Sequence, residues 1–468
     1  MNLPIIQPGM RVTVMGLGTF GGGIGAARYC AENGAQVTVT DMKQPEELGG
    51  SLDALAGYGI DFVLGEHRST DFSGADLVVV SPAVPRESRY VQEARNARVP
   101  LTTEIGLFVA RCPARVCGIT GSNGKTTTVS MLESILSDAE IPHHTGGNIG
   151  GSLLSSLPDI SAGETVVLEL SSFQLEWLDE TGWSPSIAAV LNIMPNHLDR
   201  HGTIEAYARA KASIIRHQHS GDTAILVADD PGAYGLADDV KGRLVTVGID
   251  TGGTDFAFDE GWTIERTDTG AYRLFDAGLV RVPGRHNLLN ALTAAACARE
   301  IGVGPDSIAK GIGHFNGIAH RLEFVAETGG VTYYNDSKAT TPEAAAAGVA
   351  AFDQPVIPIF GGYDKKVPFE GLARSVAGKI RWAALIGVTA PSLKTALEDS
   401  GVATETFPTL DEAVSACANH AHEGDVVLLS PGCASYDMFP NFETRGDAFR
   451  RIVLELAGKR GRGGDESD

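Results

Sequence analysis

Short runs of β-branched and apolar residues recur along the chain, and between them lie stretches whose apolar residues return at helical spacing. This alternation predicts parallel sheets with helices on their faces. In RVTVMGLGTFGGGIGAARYCAENGAQVTVTD, residues 11–41, a strand, a glycine turn, a helix and a second strand make a βαβ unit. ADLVVVSPAVP at 75–85 reads as a third strand whose loop begins at Ser81-Pro82, and a helix, a short strand and a helix lead to a boundary at Pro113. A second block runs VCGIT, TTTVSMLESILSDA, ETVVLELS (164–171), IAAVLNI (187–193), IEAYARAKASIIRH and DTAILVADD, then an irregular region to about 280 and a helix over 287–300. From VTYYNDS to DVVLLS a third block repeats the alternation, and a helix from about Asn441 to Leu456 ends it. The expected fold class is α/β with three domains, over residues 1–112, 113–317 and 318–457. A glycine-rich, charged tail, 458–468, is expected to be disordered.

The middle block opens on VCGITGSNGKTTT, where a strand enters a glycine turn ending in Gly124-Lys125-Thr126 and continues into a helix. Such a turn cradles phosphate: backbone N–H groups of Gly121, Asn123 and Gly124 and of the helix start point at phosphate oxygens, Lys125 neutralises charge, and the Thr126 hydroxyl can hold Mg²⁺. The strict pattern asks for glycine five residues before Gly124. That position is Ile119, with Gly118 one place early. The first block has its own glycine turn, in which Gly16, Gly18 and Gly21 fit Gly-x-Gly-x-x-Gly with Asp41 about twenty residues on, the literal form of a dinucleotide site.

Composition narrows the function classes. At 468 residues the length suits about three domains. Net charge is 37 − 58 = −21, which argues against nonspecific nucleic-acid or anionic-membrane binding. Six scattered cysteines, Cys30, Cys112, Cys117, Cys297, Cys417 and Cys433, fit no common zinc spacing and read as thiols in a reducing compartment. Apolar stretches fall short of the roughly eighteen residues of a membrane span. The expectation is a soluble cytoplasmic protein, and nothing in the sequence demands more than a monomer.

Polar residues gather where strands end. Glu169 closes an apolar strand and, beside the phosphate-loop strand, could complete coordination of a Mg²⁺ held by Thr126; the plain alternative is a strand-end acid in solvent. His197 and Asp199 lie in NHLDRH just past the strand at 187–193. Lys211 sits among Ala206, Ala208, Ala210 and Ala212, either exposed, as most lysines are, or desolvated into a nucleophilic amine able to take up CO₂ as a carbamate. In the third block NDSKAT (335–340), GGYDKK (361–366) and SPGCASYDMFPNF (430–442) each close a strand, so together they make one rim, expected to face the nucleotide domain and hold a second substrate.

These segments, with NIGG at 148–151, ELSSFQLE at 169–176, GRHNLLNA at 284–291 and HRLE at 320–323, resemble the Mur ligase family through nearly the whole chain. Within it the chain is similar to members that add D-glutamate to UDP-N-acetylmuramoyl-L-alanine, and NDSKAT discriminates most. The resemblance implies a Rossmann-like domain for the UDP sugar, a central phosphate-loop ATPase domain and a Rossmann-like C-terminal domain for the amino acid. It implies ATP and two Mg²⁺ ions as cofactors, with Lys125, Thr126 and Thr127 at the phosphates and Glu169 as a metal ligand. His197 and a carbamylated Lys211 would hold the second ion. Asn148, Ser171 and Gln174 would meet the muramoyl group. Asn287, Asn290, His320, Arg321 and Asp336 would bind adenine and ribose. Lys338, Thr340, Lys365, Ser435 and Phe442 would position D-glutamate. At the uridine end Thr19, Phe20, Asp41, Lys43 and Ser81 stand in contact positions, but Met42-Lys43 follows Asp41 where some relatives have a threonine-arginine pair, Lys43 in part replacing the arginine, and alanine follows Ser81-Pro82 where glycine is common.

The reaction implied is phosphoryl transfer to a carboxylate, then attack of the D-glutamate amine on the acyl phosphate. Three rivals remain at this stage: an NAD-dependent oxidoreductase, a nucleotide-gated interaction protein, and another Mur-type or folylpolyglutamate-type ligase.

Overall fold

The computed structural model describes residues 4–17 and 21–462 of the 468. Thr19 and Phe20, expected at the uridine end, lie outside the described residues, as does Gly18. The chain divides into two compact units, Met1–Leu279 with Leu289–Ile312, and Val280–Leu288 with Gly313–Asp468.

Two sheets build the first unit. β1 (Arg11–Met15), β2 (Gln36–Asp41), β3 (Asp61–Leu64), β4 (Leu77–Val80) and β5 (Leu101–Thr102) form a parallel sheet in the order β3-β2-β1-β4-β5. ADLVVV is therefore the fourth strand, because DFVL adds an edge strand that two exposed residues of four hide from a hydrophobic pattern. Order reverses between β1 and β4, which opens a crevice at their carboxyl ends where Gly16 packs against Ser81. In the helix Gly22–Glu32, a Cβ on Gly23 would stand 2.4 Å from the Gly16 carbonyl oxygen, so Gly23 lets helix and strand meet. The literal motif gives that role to Gly21, whose position has open space around it.

The other sheet has β6 (Arg115–Thr120), β7 (His143–Gly147), β8 (Thr165–Glu169), β9 (Ile187–Val190), β10 (Thr223–Val227), β11 (Arg243–Gly248), β12 (Phe256–Asp259), β13 (Trp262–Thr267) and β14 (Gly270–Asp276), in the order β14-β13-β12-β11-β10-β9-β6-β8-β7. Strands β7 to β12 run parallel, and β13 and β14 add an antiparallel extension. The region expected to be irregular up to about 280 is this extension. Its first turn, Glu260-Gly261, has both residues at positive φ, the geometry of a two-residue hairpin. The two sheets share one apolar core cluster. Arg200 donates to the carbonyls of Ala83 and Val84 and so ties the loop after β9 to the loop after β4.

In the second unit β15 (Glu323–Thr328), β16 (Val331–Asn335), β17 (Val356–Gly361), β18 (Trp382–Ile386), β19 (Ala403–Thr406) and β20 (Val426–Leu429) take the order β15-β16-β20-β17-β18-β19, all parallel except β15. Core clusters cover both faces. The strands that end in NDS, GGYDKK and SPGCAS are the three adjacent ones β16, β17 and β20, as one rim requires. The last helix spans Phe442–Arg462, beyond the expected end at Leu456. Gly458 and Gly461 in the added turn each cost a helix only about 1 kcal/mol relative to alanine and do not stop it.

Candidate active site

Gly118 lies inside β6, where a Cβ would press on Pro185 at 2.8 Å, so it serves strand packing and the loop proper begins at Gly121. Gly124, at φ 84, caps the helix Lys125–Asp138, and its missing Cβ leaves room for the Asn290 amide. Asn123 is exposed, and the Asn192 side chain brackets its backbone through both N–H and carbonyl. Lys125 donates from Nζ to the carbonyls of Gly121 and Ser122 at 2.9 and 3.2 Å, folded back over the loop it would leave for phosphate. Thr126 and Thr127 follow in the first helical turn.

Glu169 is not a solvent acid. It is 2% exposed at the end of β8, next to β6, and takes a hydrogen bond from Thr126 Oγ1 and one from Asn148 Nδ2, both at 2.8 Å. One carboxylate and one hydroxyl side by side suit Mg²⁺, which takes few protein oxygens and leaves other positions to phosphate and water. Among the described residues no three of His, Cys, Asp and Glu converge as a metal-binding group.

Asn148, Ser171, Gln174, His197 and Lys211 line a cleft of about 690 Å³, together with Lys125, Ser81 and the glycines at the start of the helix Gly22–Glu32. Ser171 caps the helix Ser172–Asp179, with Gln174 returning its side chain to the Ser171 N–H. His197 is exposed at φ 50 with its ring tilted against Phe173, and Asp199 is exposed beside it. Sequence singled out His197 in NHLDRH, but the buried histidine of that segment is His201. Its side chain lies between Ser172, Glu176, Phe173 and Tyr207, and burial lowers its pKa.

Lys211 is 1% exposed. Nζ donates to the Gly121 carbonyl at 2.8 Å and to Thr120 Oγ1 at 3.3 Å, and lies over the Tyr207 ring. Gly121 thus receives both lysines. Burial, then the Lys125 charge, hold the Lys211 pKa well below the ordinary lysine value, against the opposing pull of Glu169. Of the two readings left open by sequence, the structure has the desolvated one. As a free amine Lys211 is a donor to the loop and not a metal ligand.

At the mouth of the first sheet, Asp41 accepts from the N–H groups of Leu17 and Lys43, each at 3.0 Å, so its carboxylate shapes the glycine turn. Lys43 is exposed.

The second unit collects the remaining candidates. Asn287 donates to the Pro283 carbonyl. His320 is buried against Asn335 and lies edge-on to Phe442, and Arg321 is exposed. Asp336 accepts from Ser430 Oγ and from the Leu322 N–H, and burial pushes its pKa up to about 6. Lys338 reaches over Phe442, Lys365 donates to the Thr340 carbonyl, and Ser435 is buried.

Sequence offered no sign of Arg445. Its guanidinium, 1% exposed, donates to Ser337 Oγ, to the Ser337 carbonyl and to the Cys433 and Ala434 carbonyls, pinning the NDSKAT and SPGCAS turns together. Burial lowers its pKa to about 10. Arg445→Met should cost about 3 kcal/mol, because it strands several buried acceptors at once. Chemical denaturation measures this, and a loss under about 1 kcal/mol would show that the turns hold without it.

A phosphate loop with a strand-end carboxylate, next to a cleft shared with a second α/β sheet, defines a nucleotide-binding enzyme of the phosphate-loop class. Three family descriptions match in sequence: Mur ligase MurD-like, N-terminal domain, over residues 10–103; Mur ligase middle domain over 119–298; and Mur ligase, glutamate ligase domain, over 320–433. The UDP-N-acetylmuramoylalanine–D-glutamate ligase of Roseiflexus sp. (strain RS-1) is 46% identical over 461 residues, 95% of this chain and 98% of that one. The protein of the same name from Anaeromyxobacter dehalogenans (strain 2CP-C) is 40% identical over 96% of this chain and 98% of its own. In fold the chain is similar to the UDP-N-acetylmuramate-alanine ligase of Thermotoga maritima, with TM-score 0.54, 19% identity, 96% of this chain and 100% of that one. The chain belongs to the Mur ligase family. Among the described residues no helix is long and apolar enough to cross a membrane.

Proposed function

We propose that the protein ligates D-glutamate to UDP-N-acetylmuramoyl-L-alanine, driven by ATP through an acyl phosphate, in cytoplasmic peptidoglycan precursor synthesis. The observation that carries the reading is the convergence of Lys125 and Asn148 on one cleft, with Thr126 and Glu169 bonded behind it. Relatives of that name at 46 and 40% identity support the choice of substrates. In this reading residues 1–112 take the UDP sugar, 113–317 take ATP and 318–457 take the amino acid, and the protein works as a monomer without nucleic acid or membrane.

A carboxylate is a poor electrophile and must be phosphorylated before an amine can displace it. The donor phosphates lie along Gly121 to Thr126, where backbone N–H groups and the Lys125 ammonium meet charge that grows in the transition state. Thr126 and Glu169 would hold one Mg²⁺, and His197 with a carbamylated Lys211 a second; such ions supply charge neutralisation between the reacting anions. Asn148, Ser171 and Gln174 orient the muramoyl carboxylate. Lys338, Thr340, Lys365, Ser435 and Phe442 hold D-glutamate so that its amine is presented, and exclusion of water protects the acyl phosphate.

ADP release with Mg²⁺, ATP and UDP-N-acetylmuramoyl-L-alanine should require D-glutamate and fail with L-glutamate. Release that is indifferent to the amino acid would leave only a nucleotide hydrolase.

A further inference from the structure

Among the described residues the cleft has one acidic residue in its lining, Glu104, on the helix Glu104–Val109 of the first sheet's domain. A carboxylate is out of place there, since the ligand proposed above carries a diphosphate and a carboxylate of its own. We infer that Glu104 is a specificity-determining positioning residue that works as a neutral acid: it latches the cleft's two walls through Ser152 and, when it ionises, repels the anionic ligand. The inference rests on the proposed reading of the cleft.

Geometry supports it first. Ser152 Oγ donates to Glu104 Oε1 at 2.5 Å and also accepts from the Leu154 N–H, starting the 3-10 turn Leu153–Asp159. Ser152 is seated so tightly on the helix Gly22–Glu32 that a Cβ on Gly25 would fall 2.2 Å from its own Cβ. Glu104 Cβ lies 3.9 Å from the place a Gly22 Cβ would take, so the acid stands beside the glycine start of that helix. With Oε1 occupied by Ser152, the acid proton belongs on the second oxygen, which then offers a donor.

The surroundings keep the group neutral. Burial pushes the Glu104 pKa up to about 7, opposed by the Ser152 hydrogen bond. Of the charged side chains on the elements packed around it, Glu32 is exposed at the far end of the helix Gly22–Glu32, and others are engaged elsewhere. Arg28 donates to the Ala54 carbonyl, Glu176 pairs with Arg200 and His201, and Asp179 pairs with Arg216 and His217. Asp159, at the end of the 3-10 turn, is exposed. Lys125 also lines the cleft, and its charge attracts the ligand that an ionised Glu104 would repel.

The sign follows. Below about pH 7 the acid is neutral and binding is unopposed; above it, one negative charge faces a diphosphate whose own charge is constant. The test is the Kd of UDP-N-acetylmuramoyl-L-alanine by calorimetry from about pH 6 to about pH 8.5, for the parent and for Glu104→Gln, which has the shape and hydrogen-bonding pattern of the neutral acid. The parent Kd should rise about tenfold across that range. In Glu104→Gln the rise should be lost. Other groups that change charge over this range are common to both proteins, so the difference between the two curves isolates Glu104. Ser152→Ala should weaken binding severalfold at pH 6, by cutting the latch without adding charge. A flat parent curve, or a Glu104→Gln curve that follows the parent, overturns the inference, and a flat parent curve does so even if the variant folds poorly. Failure of the underlying reading looks different: the parent then binds this ligand at no pH and shows no D-glutamate-dependent ADP release.

Discussion

Lys125→Ala should lower turnover by at least about a thousandfold while leaving the fold intact. Loss of one preorganised donor at a site of growing charge is worth about 2.7–4 kcal/mol, a factor of 10² to 10³, and a full positive charge on the transferring phosphoryl group adds to that. No neighbour can replace it. Lys211 is near the same Gly121 carbonyl, but burial disfavours its ammonium form even with the Lys125 charge removed. Steady-state ADP release measures the loss, and a variant within tenfold of the parent would remove Lys125 from the phosphate site. The melting temperature should change little, because what Lys125 holds in the structure is its own loop's carbonyls.

Lys211→Ala should be the second-largest loss, about a hundredfold or more in turnover, with a distinguishing feature: restoration by bicarbonate or a short carboxylate such as acetate. A neutral amine has the lone pair that attacks CO₂, and the lowered pKa raises the share of that form. Alanine leaves a buried space where a small carboxylate can sit as the missing anionic oxygen donor. Lys211→Met fills that space, so it should be as inactive yet not rescued. Stability follows the proton balance. The folded pKa lies below the unfolded one, so the unfolded chain binds more protons between the two and the parent gains stability as pH rises through that window. Both variants should lose this dependence. Full activity of Lys211→Ala without added anion would refute the carbamate argument.

The alternation of strands and helices was legible because central parallel strands are buried on both faces and read as apolar runs, as in VCGIT, IAAV and VVLL. Edge strands escaped notice for the opposite reason: HHTGG and DFVL present polar or exposed residues and have a partner on one side only. The hairpins of β12 to β14 looked irregular since their inward residues are few, although Glu260-Gly261 between Asp259 and Trp262 is a readable turn signal. At the site, Lys125, Thr126 and Glu169 could be named because they occupy strand and helix ends fixed by the fold. Arg445 and Glu104 could not. Each lies on a helix whose neighbours in space are distant in sequence, and only packing gives them partners: Ser337 and Cys433 for one, Ser152 for the other.

Gly124 is held by two unrelated constraints. Its backbone adopts φ 84, and a Cβ there would strike the Asn290 side chain at 2.5 Å. No single substitution escapes both, since shortening Asn290 makes space but leaves the backbone demand untouched, and relaxing the backbone turns the loop's N–H groups away from their phosphate. Lineages that keep this reaction are therefore confined at position 124 to a single residue.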